Sequence, residues 1–236
     1  MVSVVSLVYT ILSYEITVSN DTINATSIVK EKMIMAYKRD QKKRGRPKTF
    51  DRESMFESSM MKYWQDGVLR SSLNEISKLS QVSKPTVYRE FGGEDGLIAS
   101  VVEYYYNKHL IPKLELLNDD RSFEEVLNAL IDDTIKPNST LKGCMIVKMS
   151  PYFKTLGKQT QHQLFLVREN MLASYKSWYE RGLLRNEVNP NIDSNTAAYF
   201  ISVQLTNILN LVTTDDPVHQ IKEQALLAFR SLLATE

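Results

Sequence analysis

The segment 72–91 constrains the fold of this chain most, because it holds two short helical patterns separated by a tight turn. Ser72 and Glu75 have the spacing of a capping box, in which each side chain satisfies a backbone N–H at a helix start. The apolar residues that follow recur at helical spacing and predict a buried stripe: Leu73, Ile76 and Leu79. Ser83 is placed to cap the second helix, and Pro85 suits its first turn. Together these patterns predict a helix-turn-helix motif.

The second helix of this motif carries polar and basic side chains opposite its apolar residues, Val87 and Phe91. Cations, a hydroxyl and a phenol on a short exposed helix suit contacts with phosphates and base edges in a DNA major groove. The predicted DNA-binding residues of the motif, including both capping serines, are Ser72, Ser83, Lys84, Thr86, Tyr88 and Arg89. We expect Lys84 and Thr86 to read bases and Tyr88 to contact phosphate.

A basic arm precedes the motif. Residues 38–48 contain seven Lys and Arg against a single acidic residue. The arm includes Arg44-Gly45-Arg46-Pro47, which resembles an AT-hook, where glycine lets the backbone enter a narrow minor groove and two arginines lie along its floor. A solvated basic linker is the alternative. Because an arm directly before a helix-turn-helix can reach the adjacent minor groove, we expect DNA contacts from Arg44, Arg46 and Lys48.

Charge is unevenly distributed along the chain. The formal net charge is only +1, but residues 36–95 hold 13 Lys and Arg against 9 Asp and Glu. A basic module joined to a mildly acidic remainder predicts that DNA is met by one end of the molecule. The single cysteine, Cys144, excludes an intrachain disulfide and is consistent with a reducing cytoplasm. A packed thiol is favoured over a redox sensor at this position.

The motif and its flanks resemble the TetR family of bacterial transcriptional regulators over residues 44 to 110. The resemblance rests on Val82-Ser83, Thr86, Tyr88, Phe91-Gly92 and Asp95-Gly96-Leu97. The chain departs from the family pattern at Gln81, where members usually have glycine because the turn often needs a left-handed backbone. It also departs at Glu94, where members often have a lysine that contacts phosphate.

The resemblance implies an all-α protein with two parts. An N-terminal three-helix DNA-binding domain with the helix-turn-helix is followed by a helical domain for ligand binding and dimerisation. The expected domains are a poorly ordered extension (1–34), the AT-hook-like arm (35–48), the DNA-binding domain (49–96) and the helical domain (97–236). A secretory signal or membrane span at the apolar N-terminus is rejected, because the run is shorter than the ~20 residues of a span and has no basic flank.

Helical patterns continue after the motif. A long helix is predicted from Glu94 to a break at Pro112, and a further one is predicted to stop before Gly182. The helices predicted beyond Pro112 cover 122–136, 142–153, 159–181, 194–212 and 218–234.

The resemblance also implies a ligand cavity among the middle helices. Its candidate lining residues are aromatic or methionine: Tyr104, Tyr105, Met145, Met149, Phe153, Phe165, Met171, Tyr175 and Trp178. The alternative for each is an ordinary core position. If a cavity exists, such a lining predicts a mostly apolar or aromatic effector.

Two C-terminal helices carry apolar residues on more than one face, which predicts cover by a second copy of the chain. The stripes assigned to the dimer interface are Ala198, Ile201, Leu205, Ile208, Val212, Ile221, Ala225, Ala228 and Leu232. A wholly internal helical hairpin is the alternative. Two such hairpins about a two-fold axis would form a four-helix bundle.

Enzyme chemistry is not indicated. His109, His162 and His219 are isolated, and the sequence has neither paired cysteines nor a glycine-rich phosphate loop. We therefore expect no metal and no cofactor. The predicted function is a homodimeric, cytoplasmic, ligand-responsive transcriptional regulator, most simply a repressor released from its operator by a small effector. The alternatives are a non-sensing architectural DNA-binding protein and a helical small-molecule-binding protein or enzyme.

Overall fold

The computed structural model describes residues 51–136, 141–214 and 216–234. The predictions for the N-terminal extension, and for Arg44, Arg46 and Lys48 of the basic arm, lie outside this part of the chain. The prediction of an all-α fold is confirmed: the described residues form helices, and a single antiparallel bridge joins Val188 to Leu233.

The first three helices form the helix-turn-helix unit: α1 (Arg52–Asp66), α2 (Leu73–Leu79) and α3 (Lys84–Phe91). Each begins at a residue whose side chain accepts a hydrogen bond from a backbone N–H of the first turn. Those caps are Asp51, Ser72 and Ser83. Because such caps depend on residues three apart in the chain, the sequence alone indicates these helix starts.

The rest of the described chain forms a larger helical domain. Its α-helices are α4 (Glu94–Tyr105), α5 (Ile111–Glu115), α6 (Phe123–Ile135), α7 (Met145–Met149), α8 (Lys158–Leu184), α9 (Ser194–Leu211) and α10 (Val218–Phe229). A π-helical turn (Tyr106–Leu110) joins α4 to α5, and a 3₁₀ segment (Ser150–Thr155) follows α7. None of the described helices combines the length and the apolar character needed to cross a bilayer.

The main core lies between α6, α8, α9 and α10. Phe123 stacks on Trp178 with ring centroids 4.0 Å apart and meets Tyr179 edge to face. All three of these side chains are buried. Burying large aromatic rings of this kind supplies much of the stabilisation of a helical domain, at about 25 cal/mol per Å² of apolar surface.

Four expectations for local structure were wrong. The chain does not break at Pro112, because proline lies in the first turn of α5, where its missing N–H is not needed. Only 145–149 of the predicted helix 142–153 is α-helical. The helix α8 continues through Gly182 to Leu184, with that glycine packed against Val188. Leu79 is 56% exposed, so the buried stripe of α2 consists of Leu73 and Ile76.

Candidate functional site

The two serines that begin the helices of the motif use their side chains as caps. Ser72 Oγ accepts a hydrogen bond from Glu75 N at 3.3 Å, and the backbone N–H of Ser72 donates to Glu75 Oε2 at 2.9 Å, which completes the capping box. Ser83 Oγ accepts from Thr86 N at 3.4 Å, and its hydroxyl lies 2.9 Å from that of Thr86. These contacts fix the start of α3 and orient its first turn.

The outward face of α3 presents the side chains that were predicted to contact DNA. Lys84 and Arg89 are exposed, Tyr88 is 59% exposed, and Thr86 is half-buried. Arg89 Nε donates to Glu90 Oε1 at 3.0 Å. The opposite face, with Val87 and Phe91, is buried. The helix therefore has the division into inner and outer faces that a recognition helix requires.

Backbone geometry at both ends of α3 explains two features of the motif. Gln81, in the turn before α3, has φ +55°, which confirms the left-handed backbone expected where glycine is usual. Gly92 ends α3 with φ +75°, and its N–H donates to Tyr88 O. A left-handed residue at this position lets the chain turn directly into α4.

Asp95, in the first turn of α4, joins the motif to the larger domain. Its carboxylate accepts hydrogen bonds from Gln159 N at 2.9 Å and Thr160 N at 3.1 Å, at the start of α8. Thr160 Oγ1 donates to the same carboxylate at 2.7 Å. Partial burial opposes ionisation, but these hydrogen bonds outweigh it and hold the pKa of Asp95 below its ordinary value. A side chain at Gly157 would collide with the carboxylate, since a Cβ there would lie 2.1 Å from Asp95 Cγ.

Two further contacts tie α1 to the larger domain. Tyr104 OH, on α4, donates to Glu57 Oε2 at 2.9 Å, and Lys108 binds the same carboxylate. Lys148 Nζ, on α7, donates to the backbone oxygen of Trp64 at 3.0 Å. The helix α1 is thus held at Glu57 by residues from α4 and the π-helical turn, and at Trp64 by a residue from α7.

A cavity of about 890 Å³ lies between the helices of the larger domain and the C-terminal end of α1. This volume is in the range of ligand pockets, which hold about 300–1,000 Å³. Of the predicted lining residues, five do line it: Tyr105, Phe153, Phe165, Met171 and Tyr175.

The prediction of cavity lining was wrong for four residues. Tyr104 faces α1 instead, and Trp178 stacks on Phe123 in the main core. Met145 and Met149 are buried on α7 and do not reach the cavity surface. In all four cases helical spacing identified an apolar face without indicating which neighbour it meets.

Sequence patterns missed the polar lining of the cavity. Trp64 comes from α1, within the DNA-binding unit, and His109 comes from the π-helical turn. Lys113, which also lines the cavity, pairs with Asp133 of α6. No short motif connects these positions, because helix packing alone brings them together.

One end of the cavity is built from three rings and a thiol. Trp64 meets Tyr105 edge to face at 5.1 Å and His109 at 5.4 Å. Tyr105 OH donates to the buried Cys144 Sγ at 3.3 Å and accepts from Met145 N at 3.4 Å. Burial raises the pKa of the Tyr105 hydroxyl, so it stays protonated at neutral pH. Cys144 is therefore a packed residue of the cavity wall.

The stripe assigned to the dimer interface faces the interior of a single chain. Seven of its nine residues are buried within the monomer: Ala198, Ile201, Leu205, Ile208, Ile221, Ala225 and Leu232. The remaining two, Val212 and Ala228, are half-buried. The interface prediction was therefore wrong for the seven buried residues, because their side chains already belong to the main core, and it stays a prediction for Val212 and Ala228.

Comparison with known proteins decides the family. No protein-family model matches the chain. The HTH-type transcriptional repressor ComR of Escherichia coli strain K12 is 30% identical over 170 residues, which cover 69% of this chain and 79% of ComR. The chain belongs to the TetR family. Its members are transcriptional regulators, which confirms the prediction that this protein is not an enzyme.

Further TetR-family proteins agree with this assignment. The HTH-type transcriptional repressor BdcR of the same organism is 26% identical over 117 residues, which cover 48% of this chain and 59% of BdcR. The reduced form of NemR from E. coli superposes with a TM-score of 0.68 at 15% identity, covering 78% of this chain and 97% of NemR. CifR, in a cysteine mutant bound to a 26-base-pair operator DNA, superposes with a TM-score of 0.65 at 19% identity, covering 79% of this chain and 99% of CifR. These two structures show a common fold.

Proposed function

We propose that this TetR-family regulator is a repressor that binds its operator as a homodimer and is released by a small, mostly apolar effector. The exposed face of α3, with Lys84, Tyr88 and Arg89, is the observation that carries the DNA-binding part of this proposal. The basic arm would add minor-groove contacts through Arg44 and Arg46. As a regulator of transcription, the protein would act in the cytoplasm.

Release by an effector is supported by the position of the cavity. Its wall includes Trp64 of α1, so a bound molecule would touch the same helical unit that holds α3. The relatives ComR and BdcR are named as repressors, and CifR has been crystallised with operator DNA. Repression, rather than activation, is therefore the proposed direction of control.

The proposed dimer uses the outer faces of α9 and α10. With the inner stripe buried in the core, the large apolar side chains left exposed on these helices include Tyr199, Val203 and Leu227, which are 49%, 60% and 66% exposed. Apolar side chains grouped on two packed helices suit a second copy of the same surface. Such a dimer would present its two α3 helices to half-sites roughly 34–36 Å apart or a multiple of this distance.

The test is binding of the purified full chain to the DNA upstream of its own coding sequence, measured over a salt series against a shuffled duplex. We expect tighter binding to the natural duplex than to the shuffled one. The logarithm of the affinity should fall linearly with the logarithm of the salt concentration. Equal affinity for both duplexes would favour an architectural DNA-binding protein. Absence of binding at low salt would overturn the proposed function.

A further inference from the structure

The first residue of α1, Arg52, lies against the end of α3. Its guanidinium carbon Cζ is 5.2 Å from the ring centre of Phe91, the last residue of α3, and 5.9 Å from that of Phe56, one turn further along α1. The two rings pack on each other with their centres 5.7 Å apart. Because Phe91 is buried, its ring gives the guanidinium a fixed support. The positive charge of Arg52 is therefore held at a defined place beside α3.

Stacking on aromatic rings occupies the face of a guanidinium and leaves its edge available. The five N–H donors of arginine lie in the plane of the group, and stacking uses none of them. Arg52 is exposed, and it has neither a hydrogen bond nor an ion pair with another residue of the described ranges. Arg89 differs, because its Nε donates to Glu90 Oε1. A stacked guanidinium with unused edge donors suits a bidentate contact with a phosphate.

The acidic neighbours of Arg52 in the sequence do not neutralise it. Asp51 caps α1, and its Oδ1 accepts a hydrogen bond from Ser54 N at 3.1 Å. Glu53 is exposed, and consecutive residues of a helix do not face each other. The positions three and four residues after Arg52, which do share its face of α1, are both apolar. Arg52 thus presents its charge to solvent at the start of α1.

Arg52 also lies between the two parts of the chain that are proposed to bind DNA. The helix α3 would enter the major groove, and the guanidinium of Arg52 rests on α3. The basic arm would enter the adjacent minor groove, and its Lys48 precedes Arg52 by four residues, which span at most about 14 Å. One sugar-phosphate strand separates a major groove from the minor groove beside it. A cation between the two elements would therefore meet this strand.

We propose that Arg52 binds a DNA phosphate on the strand between the two grooves, with its edge donors on the phosphate oxygens and its face on Phe91. The proposal rests on the proposed function, because it takes α3 as the helix that contacts DNA. Phosphates are the same in every sequence, so this contact adds affinity without base preference. Because the same side chain rests on α3, the contact also fixes the orientation of α3 against the duplex.

The test measures binding of the full chain to its upstream duplex and to a shuffled duplex over a salt series. In Arg52→Gln, affinity for both duplexes should fall about tenfold, as a lost charge-assisted hydrogen bond implies. The plot of log affinity against log salt should become less steep by about 0.9, the value for one phosphate. Arg52→Lys should keep the slope and lose part of the affinity, because an ammonium keeps the charge without the bidentate edge. Arg230→Gln, at an exposed arginine of the larger domain, is the matched control and should change neither quantity.

A purely structural role predicts a different result. If Arg52 only covers the two rings, Arg52→Gln would lower the denaturant concentration at the unfolding midpoint and leave the salt slope unchanged. An unchanged slope in the folded variant would overturn the proposal. Should Arg52→Gln fail to fold, Arg52→Met keeps an unbranched apolar stem over the rings, removes the charge, and is judged by the same slope.

A scan of the DNA provides a second measurement. Single phosphates of the upstream duplex are replaced by uncharged methylphosphonates, and one replacement should weaken binding of the natural protein but not of Arg52→Gln. Equal losses for both proteins at every position would contradict the contact. Equal affinity of the natural protein for the upstream and shuffled duplexes would overturn the proposed repressor, whereas the slope difference at Arg52 would still be measured on either duplex. Absence of any DNA binding would overturn both proposals.

Discussion

Asp95 caps a helix that begins more than sixty residues later in the chain: its Oδ1 accepts from both the backbone N–H and the side-chain hydroxyl of Thr160, at 3.1 and 2.7 Å. Thr160 is fully buried, and the start of α8 has no side-chain cap of its own. This acidic residue in the first turn of α4, shortly after the helix-turn-helix, thus also fixes the start of α8, the longest of the described helices. This places the end of the DNA-binding unit and the start of α8 in one hydrogen-bonded cluster.

Replacing Asp95 with Asn should destabilise the protein, because an amide has one acceptor oxygen where the carboxylate uses two. We expect the free energy of unfolding to fall by about 1–2 kcal/mol, as for other lost helix caps. Denaturant unfolding at pH 7 measures this. Glu94→Gln, at the exposed neighbouring residue, is the matched control, and an equal loss in both variants would contradict the capping role.

The same cap predicts a dependence of stability on pH. The pKa of Asp95 is lowered in the folded protein, so its contribution is present above the ordinary aspartate value near 4 and is lost as pH falls through the folded value. The stability difference between the natural protein and Asp95→Asn should therefore shrink as pH drops below about 4. A difference that stays constant from pH 7 to pH 3 would show that the carboxylate charge does not matter.

Recognition of the operator's base sequence should depend on the exposed face of α3. Replacing Lys84 or Thr86 with Ala should change which operator sequence is preferred, at about 1–3 kcal/mol for a lost base contact. Tyr88→Phe should weaken binding to all sequences alike, because we assign its hydroxyl to phosphate. Competition binding with a set of altered operators measures both effects, with Lys176→Ala on α8 as the control. Equal losses without any shift in preference would contradict this division of roles.

The basic arm should contribute affinity that depends on salt. Changing Arg44 and Arg46 together to Ala should weaken binding most for operators flanked by A·T pairs. It should also flatten the dependence of log affinity on log salt concentration, since fewer counterions are released. Removing residues 1–34 is the control and should leave binding intact. Loss of binding in that truncation, with no effect of the arginine changes, would rule out the AT-hook.

The proposed dimer interface predicts opposite outcomes for exposed and buried positions. Val203→Glu with Leu227→Glu should give a folded monomer with weak operator binding, whereas Leu205→Glu should unfold the chain by placing a charge in the core. Tyr152→Glu, at another exposed apolar side chain, is the control. Sedimentation and circular dichroism distinguish these results. A dimer that survives the double change would place the interface elsewhere.

Local features of this protein were predictable because they depend on residues close together in the sequence. The caps at Ser72 and Ser83 and the left-handed turn at Gln81 are of this kind. Gly182 was predicted to end a helix, but it lies within α8. Its missing side chain allows α8 to pack closely against Val188. That contact depends on the path of the chain after the helix, which no local pattern records.

Long-range features were not predictable, because they depend on residues that are far apart in the sequence. The apolar stripe of α9 around Leu205 has the spacing expected of either a core or a dimer interface, and only the packing of α6 and α8 assigns it to the core. Trp64 lies on α1, and its place in the cavity wall depends on contacts with α4 and α7. Helical periodicity identifies a buried face without naming its partner.

Occupancy of the cavity and binding of the operator should be coupled in this protein. The most direct measurement is the affinity of the protein for its upstream DNA with and without saturating 4-phenylphenol, a small and mostly apolar probe of the proposed effector class, together with the affinity for this probe with and without DNA. Coupling of about tenfold is expected in both directions, because linkage requires the two factors to be equal. Identical operator affinities in the presence and absence of a bound probe would contradict the account.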